Sequence, residues 1–165
     1  MRVLGVNMKI GILGTACAGK TTLAKQLSEH FKFDLVDEIA RSFSPVDLSD
    51  EIVQYNILFR QIKNEMFADR NLITDRTIID NYIHIERSFK LKMNLLNLVR
   101  AWAQTYDVIL LCKKLPFVDD GFRKDVDMEN DMIQFMKCNL INYEVIDGNE
   151  NHRLEEAKKI IGRII

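Results

Sequence analysis

Apolar positions along this chain follow two alternating rhythms. Compact apolar runs recur at Lys9-Ile10-Gly11-Ile12-Leu13, Phe33-Asp34-Leu35-Val36, Asn71-Leu72-Ile73-Thr74, Val108-Ile109-Leu110-Leu111-Cys112 and Tyr143-Glu144-Val145-Ile146. Their length and their polar or turn-forming borders predict strands. Between them, apolar residues return every three or four positions, which predicts helices. One continues from Thr22-Leu23-Ala24-Lys25-Gln26-Leu27, and a short one covers Ile39–Phe43 before Pro45. A long one opens at Ser49-Asp50-Glu51, carries Ile52, Tyr55, Leu58, Phe59, Ile62 and Met66, and ends near Ala68. Others follow over Thr77–Phe89, Met93–Thr105, Asp127–Asn139 and Asn151–Ile164. Met128, Met132 and Met136 share one helical face and suit core packing. The stretch Lys113–Val126 loses periodicity, holds Pro116 and Gly121, and reads as a mobile loop.

Strands alternating with helices predict an α/β fold: a five-stranded parallel sheet with helices on both faces. The wholly apolar Val108–Cys112 run fits a strand buried on both sides. A length of 165 residues, without repeat or linker, suits one domain over 1–165, with Met1–Asn7 a frayed leader. Composition changes the picture little: 47% hydrophobic, 28% charged and a net charge of −1 describe an ordinary globular chain. That charge speaks against a broadly basic nucleic-acid surface. Three scattered cysteines, Cys17, Cys112 and Cys138, suit a reducing compartment rather than a disulfide framework. No apolar run is long enough to span a bilayer, so no membrane partner is expected. The expected location is cytoplasmic.

Chemistry enters between the first strand and the first helix. Gly14-Thr15-Ala16-Cys17-Ala18-Gly19-Lys20-Thr21 reads G-x-x-x-x-G-K-T, followed by Thr22. Gly14 and Gly19 let the backbone turn tightly and approach an anion closely. Successive N–H groups then form a nest at the positive end of the next helix. Lys20 supplies a mobile point charge for the β- and γ-phosphates, and the Thr21 hydroxyl is a hard oxygen suited to Mg²⁺. Residues 14–22 are therefore expected to bind ATP with Mg²⁺.

Ligands of parallel sheets sit at the carboxyl ends of the strands. There the chain places Asp37, Glu38 and Arg41, then Asp75 and Arg76, then the loop Asp119-Asp120-Gly121-Phe122-Arg123-Lys124. Phosphoryl transfer needs such a set: a cradle, a metal, a carboxylate to take a hydroxyl proton, and cations for the transition-state charge. Asp75 is the candidate on the Mg²⁺ side, Glu38 or Asp37 the candidate base, Arg41 and Arg76 candidate anion clamps, and Arg123 a candidate lid cation. A helix cap is the alternative role for Asp75. Asp147-Gly148-Asn149, after the last strand, is first of all a turn.

These segments resemble P-loop kinases of the nucleoside and nucleotide type. Asp75-Arg76-Thr77 resembles the Asp-Arg element of thymidylate and deoxynucleoside kinases. Val36-Asp37-Glu38-Ile39-Ala40-Arg41 and Asp119-Asp120-Gly121-Phe122-Arg123 resemble the second-strand and lid segments of a small kinase family. That family contains the nicotinamide riboside kinase domain of bacterial NAD regulators. The resemblance implies a P-loop kinase-like fold with a mobile lid and transfer of the ATP γ-phosphate to a hydroxyl of a nucleoside-like small molecule. Asp37 stands where the family has proline and Ile39 where it has an aromatic, which separates this chain from nicotinamide riboside itself. The alternatives are a thymidylate-like monophosphate kinase, a kinase of modified bases in DNA, with nucleic acid then the substrate, and a regulatory P-loop ATPase. The pattern leaves the oligomeric state open.

Overall fold

The computed structural model describes residues 8–68, 71–89, 94–116 and 127–165. Five strands form one parallel sheet: β1 (Lys9–Leu13), β2 (Asp34–Val36), β3 (Leu72–Asp75), β4 (Val108–Cys112) and β5 (Tyr143–Ile146), in the order β2-β3-β1-β4-β5. The helices are α1 (Lys20–Phe31), α2 (Glu51–Met66), α3 (Ile78–Ser88), α4 (Leu96–Ala103), α5 (Glu129–Cys138) and α6 (Glu150–Ile161). Two 3₁₀ turns, Ile39–Ser42 and Asp47–Ser49, join β2 to α2.

Side chains alternate across the sheet and divide the core in two. Ile10, Ile12, Ile73, Val108, Leu110 and Cys112 pack with α1 and α6. Leu13, Ile109 and Leu111 pack with α3, α4 and α5, where Met128, Met132 and Met136 are buried as expected. The layer of α2 to α5 thus covers one face, and α1 with α6 the other.

Helix α2 differs from its expected packing. Leu58 is buried, but Ile52, Phe59 and Met66 are exposed, while Gln54, Gln61 and Glu65 lie inside. The inward polar face is satisfied by partners. Glu65 pairs with Lys9 and accepts hydrogen bonds from Trp102 Nε1, Tyr106 Oη and Gln61 Nε2, at 2.6–2.7 Å. The Lys9 ammonium also lies 4.2 Å from both the Trp102 and Tyr106 ring centres. The helix start differs by one residue: Asp50, not Ser49, accepts the Ile52 N–H.

Candidate functional site

The strand order brings the polar strand ends together. β1 is central, with β3 on one side and β4 on the other, and β2 beyond β3. Ile12 of β1 lies in register with Asp75 of β3, and the Arg76 N–H continues the ladder to the Ile12 carbonyl at 3.0 Å. Asp75 and Arg76 therefore sit beside the loop that leaves β1 at Gly14. Asp75 ends the strand and does not cap the next helix. That cap is Thr77, whose Oγ1 accepts the Ile79 N–H at 3.1 Å.

Residues 14–19 turn between β1 and α1. Gly14 has φ +151°, and a Cβ there would fall 2.6 Å from the Cys112 carbonyl oxygen. Only glycine fits at that crossing. Gly19 opens α1 in the left-handed region, φ 75°. Cys17, midway round, has φ 57°, costly for a residue with a Cβ. Lys20 is buried and donates its Nζ proton to the Thr15 carbonyl, folding back over the loop. Burial, then the charge of Arg76, pulls its pKa down to about 8, against the pull of Asp80, Glu38 and Asp75. Ala16 and Thr21 are half-buried, Ala18 is buried, and Thr22 is exposed.

Opposite the loop stands Glu38, the last residue before the first 3₁₀ turn, and it is buried, whereas its neighbour Asp37 is exposed. The Arg76 Nε donates to Glu38 Oε1 at 2.5 Å and the Arg41 Nε to Oε2 at 2.9 Å. A second carboxylate, Asp80, stands 3.5 Å from the Arg76 Nη1. Burial works against the Arg76 charge, but Glu38 and Asp80 outweigh it and raise its pKa. Arg76 is itself held in left-handed backbone, φ 84°.

Asp75 is buried, and neither carboxylate oxygen has a hydrogen-bond partner among the described residues; nor has Thr15 Oγ1. Burial pushes Asp75 up; the nearby Thr21 hydroxyl opposes this, outside hydrogen-bond geometry. Orphaned buried oxygens mark places where a ligand completes the set. Hard oxygens from Thr21 and Asp75 fit a small divalent cation. Glu38, Asp75 and Arg76 thus lie close enough to act on the Lys20 charge, with Arg41 joined to them through Glu38, at the carboxyl ends of β1, β2 and β3. Arg123 and its loop lie outside the described residues.

One residue of this region has no signature in the sequence. Arg153 of α6, buried, donates Nη1 to the Ala18 carbonyl, Nε to Gly148 and Nη2 to Lys113, at 2.7–3.1 Å. It ties the loop after β1 to the ends of β4 and β5. Only its place one turn into a helix that follows Asp147-Gly148 could have pointed to it.

A family profile described as an AAA domain, AAA_28, matches residues 9–153. The chain belongs to that family. A search of curated proteins returns no significant match. Among solved structures, this AAA domain is similar to deoxyadenosine kinase from M. mycoides with products dCMP and dCDP bound: TM-score 0.70, 16% identity, 96% of this chain and 100% of that one. It is similar to NadR protein in complex with NR: TM-score 0.75, 16% identity, 94% of this chain but 51% of that one. It is also similar to thymidylate kinase from Ehrlichia chaffeensis: TM-score 0.57, 16% identity, 95% of this chain and 99% of that one. At such identities the likeness carries the fold: this is a P-loop AAA domain with the architecture of small-molecule kinases. Among the described residues, no helix is long and apolar enough to cross a membrane.

Proposed function

We propose that this AAA domain is an ATP- and Mg²⁺-dependent phosphotransferase that moves the γ-phosphate to a hydroxyl of a nucleoside-like small molecule. The observation that carries the reading is Glu38: a buried carboxylate bracketed by Arg41 and Arg76 across the cleft from the phosphate loop. A carboxylate there can take the proton of an attacking hydroxyl, the part that transfer needs beyond a phosphate cradle.

In this account the loop N–H groups of 14–21 and the Lys20 ammonium hold the phosphates. Thr21 and Asp75 hold Mg²⁺, directly or through water, and the bound ion supplies charge neutralisation at the phosphates. Glu38 accepts the proton of the attacking hydroxyl as its oxygen forms the new P–O bond. The bond to the bridging oxygen breaks, and that oxygen leaves with ADP. Arg76, fixed by Glu38 and Asp80, directs its remaining N–H groups toward the charge that develops between donor and acceptor. The single-domain organisation of 1–165 and a cytoplasmic setting are part of this proposal.

One observation favours an acceptor phosphate: the Arg41 side chain is half exposed, with donors left over for an anion. A coupled ADP-release assay decides. It presents ATP and Mg²⁺ with nucleosides, nicotinamide riboside, nucleoside monophosphates, or DNA carrying hydroxymethylated bases. Release that depends on a nucleoside-like hydroxyl is the expected result. Release that depends on a monophosphate or on DNA replaces the acceptor. Fast release without any acceptor overturns the transferase reading.

A further inference from the structure

One arc of α3 carries polar groups that the transfer scheme leaves idle. Thr77, Asp80, Asn81 and His84 stand three and four residues apart, so they are neighbours along the helix surface. Its other buried residues, Ile78, Ile79, Tyr82, Ile83 and Ile85, belong to the apolar core. Asp80 fixes where the arc lies. Its Oδ2 stands 3.5 Å from the Arg76 Nη1, and its charge acts on Lys20. The Arg76 charge in turn reaches His84. Asn81 is the odd member of the set. It is 7% exposed, yet its amide makes no hydrogen bond to any described residue. Native proteins seldom bury an amide without a partner, and such a group marks a place that a ligand completes. His84, half-buried, has no hydrogen bond among the described residues either. Burial, then the Arg76 charge, holds its pKa below the ordinary value, so the imidazole is neutral at pH 7.

We propose that Asn81, with His84 beside it, reads the base of the acceptor: a nucleoside whose ring edge offers a hydrogen-bond donor and an acceptor on neighbouring atoms. This rests on the nucleoside-like acceptor proposed above and adds what recognises it. An amide carries a donor and an acceptor side by side and pairs with such an edge through two bonds at once. Two kinds of base present that edge. Adenine and cytosine place an amino group beside a ring nitrogen; thymine and guanine place a ring N–H beside a carbonyl. The ring is a neutral one, because the carboxylates nearest the arc, Asp80 and Glu38, both face Arg76 and leave none for a cation. Arg76 also sets the order of the parts. Its Nε holds Glu38 at 2.5 Å and its Nη1 faces Asp80, so it stands between the proton acceptor and the base reader.

The test is calorimetric titration of nucleosides into the full chain saturated with ADP and Mg²⁺, for wild type and Asn81→Leu. Each base is paired with a blocked analogue, dimethylated on its amino group or methylated on its ring N–H, and the two arms identify which edge is read. Wild type is expected to bind one parent nucleoside about 5- to 150-fold more tightly than its blocked analogue, the discrimination of one bidentate pair. Asn81→Leu should bind parent and analogue alike, with ADP affinity unchanged. Its Tm should hold or rise, because the amide has no partner to lose. Wild type that binds parent and analogue equally, or binds no nucleoside at all, overturns the proposal. So does an Asn81→Leu chain that still discriminates, or one that only loses Tm. Discrimination by Asn81 in a protein that transfers no phosphate overturns the transferase reading alone. Transfer to a nucleoside whose affinity Asn81→Leu does not change overturns this site alone.

Discussion

Raising the pH from 7 to 9 should loosen ATP by about tenfold, and the reason is a single buried lysine. Burial and the nearby Arg76 charge pull Lys20 down to about 8. At pH 7 about nine-tenths of the free protein then carries the charged ammonium, and at pH 9 about one-tenth. Bound phosphates keep it charged, so above pH 8 binding must first supply a proton. The resulting change is about 1.4 kcal/mol over the interval. Isothermal titration calorimetry reads it twice: as the Kd at each pH, and as proton uptake from buffers of different ionisation enthalpy. Uptake should be about half a proton per ATP at pH 8. Lys20→Arg, whose guanidinium does not titrate here, should lose the pH dependence even if it binds more weakly. The stability of the nucleotide-free protein moves oppositely. Its folded pKa lies below the unfolded value of 10.5, so the unfolded chain holds more protons between about 8 and 10.5 and stability rises with pH through that window. A Kd that is flat from pH 7 to 9, with no proton uptake, would refute the reasoning.

Three further perturbations separate positioning from packing. Asp80→Asn keeps an oxygen for the Thr77 N–H, which Asp80 Oδ1 now accepts at 2.8 Å, but removes the charge facing Arg76. Turnover should fall with little change in Tm, whereas Asp80→Ala also strands the buried Thr77 donors and one side of the Arg76 charge and should cost about 3–5 kcal/mol in a urea melt. Glu65→Ala strands the Lys9 charge and two ring donors in the core, and should cost about 3–5 kcal/mol by the same melt. Arg153→Ala frees three carbonyls around the phosphate loop; a loss of about 2–4 kcal/mol and weaker ATP binding by calorimetry are expected.

How legible each element was depended on whether its burial was apolar. β1 and β4 match the expected strands residue for residue because every residue in them is buried, and the edge strand β5 matches because its apolar run is cut off sharply by Asp147-Gly148. The phosphate loop was legible because its chemistry requires glycine at fixed positions. Helix α2 was legible as a helix but not in its orientation. Periodicity ranks Ile52 above Gln61, yet the buried partners of Glu65 and Gln61 turn the polar face inward. No one-dimensional pattern records that Lys9, more than fifty residues earlier, waits there. The choice of Glu38 over Asp37 had the same origin. Both are acids at a strand end, and only the guanidinium groups of Arg76 and Arg41 distinguish them. Arg153 was invisible because its three partners are backbone carbonyls, which any sequence supplies.

The central claim is that Glu38 faces a phosphate donor in order to activate an acceptor. It is tested most directly by following the γ-phosphate of labelled ATP in wild-type protein and in Glu38→Gln, with calorimetry of ATP binding alongside. The account predicts label on the acceptor in the wild type. In Glu38→Gln it predicts transfer slower by roughly 10²–10⁴-fold, with ATP affinity nearly unchanged. Equal transfer by the two proteins would contradict it, as would label released only as inorganic phosphate.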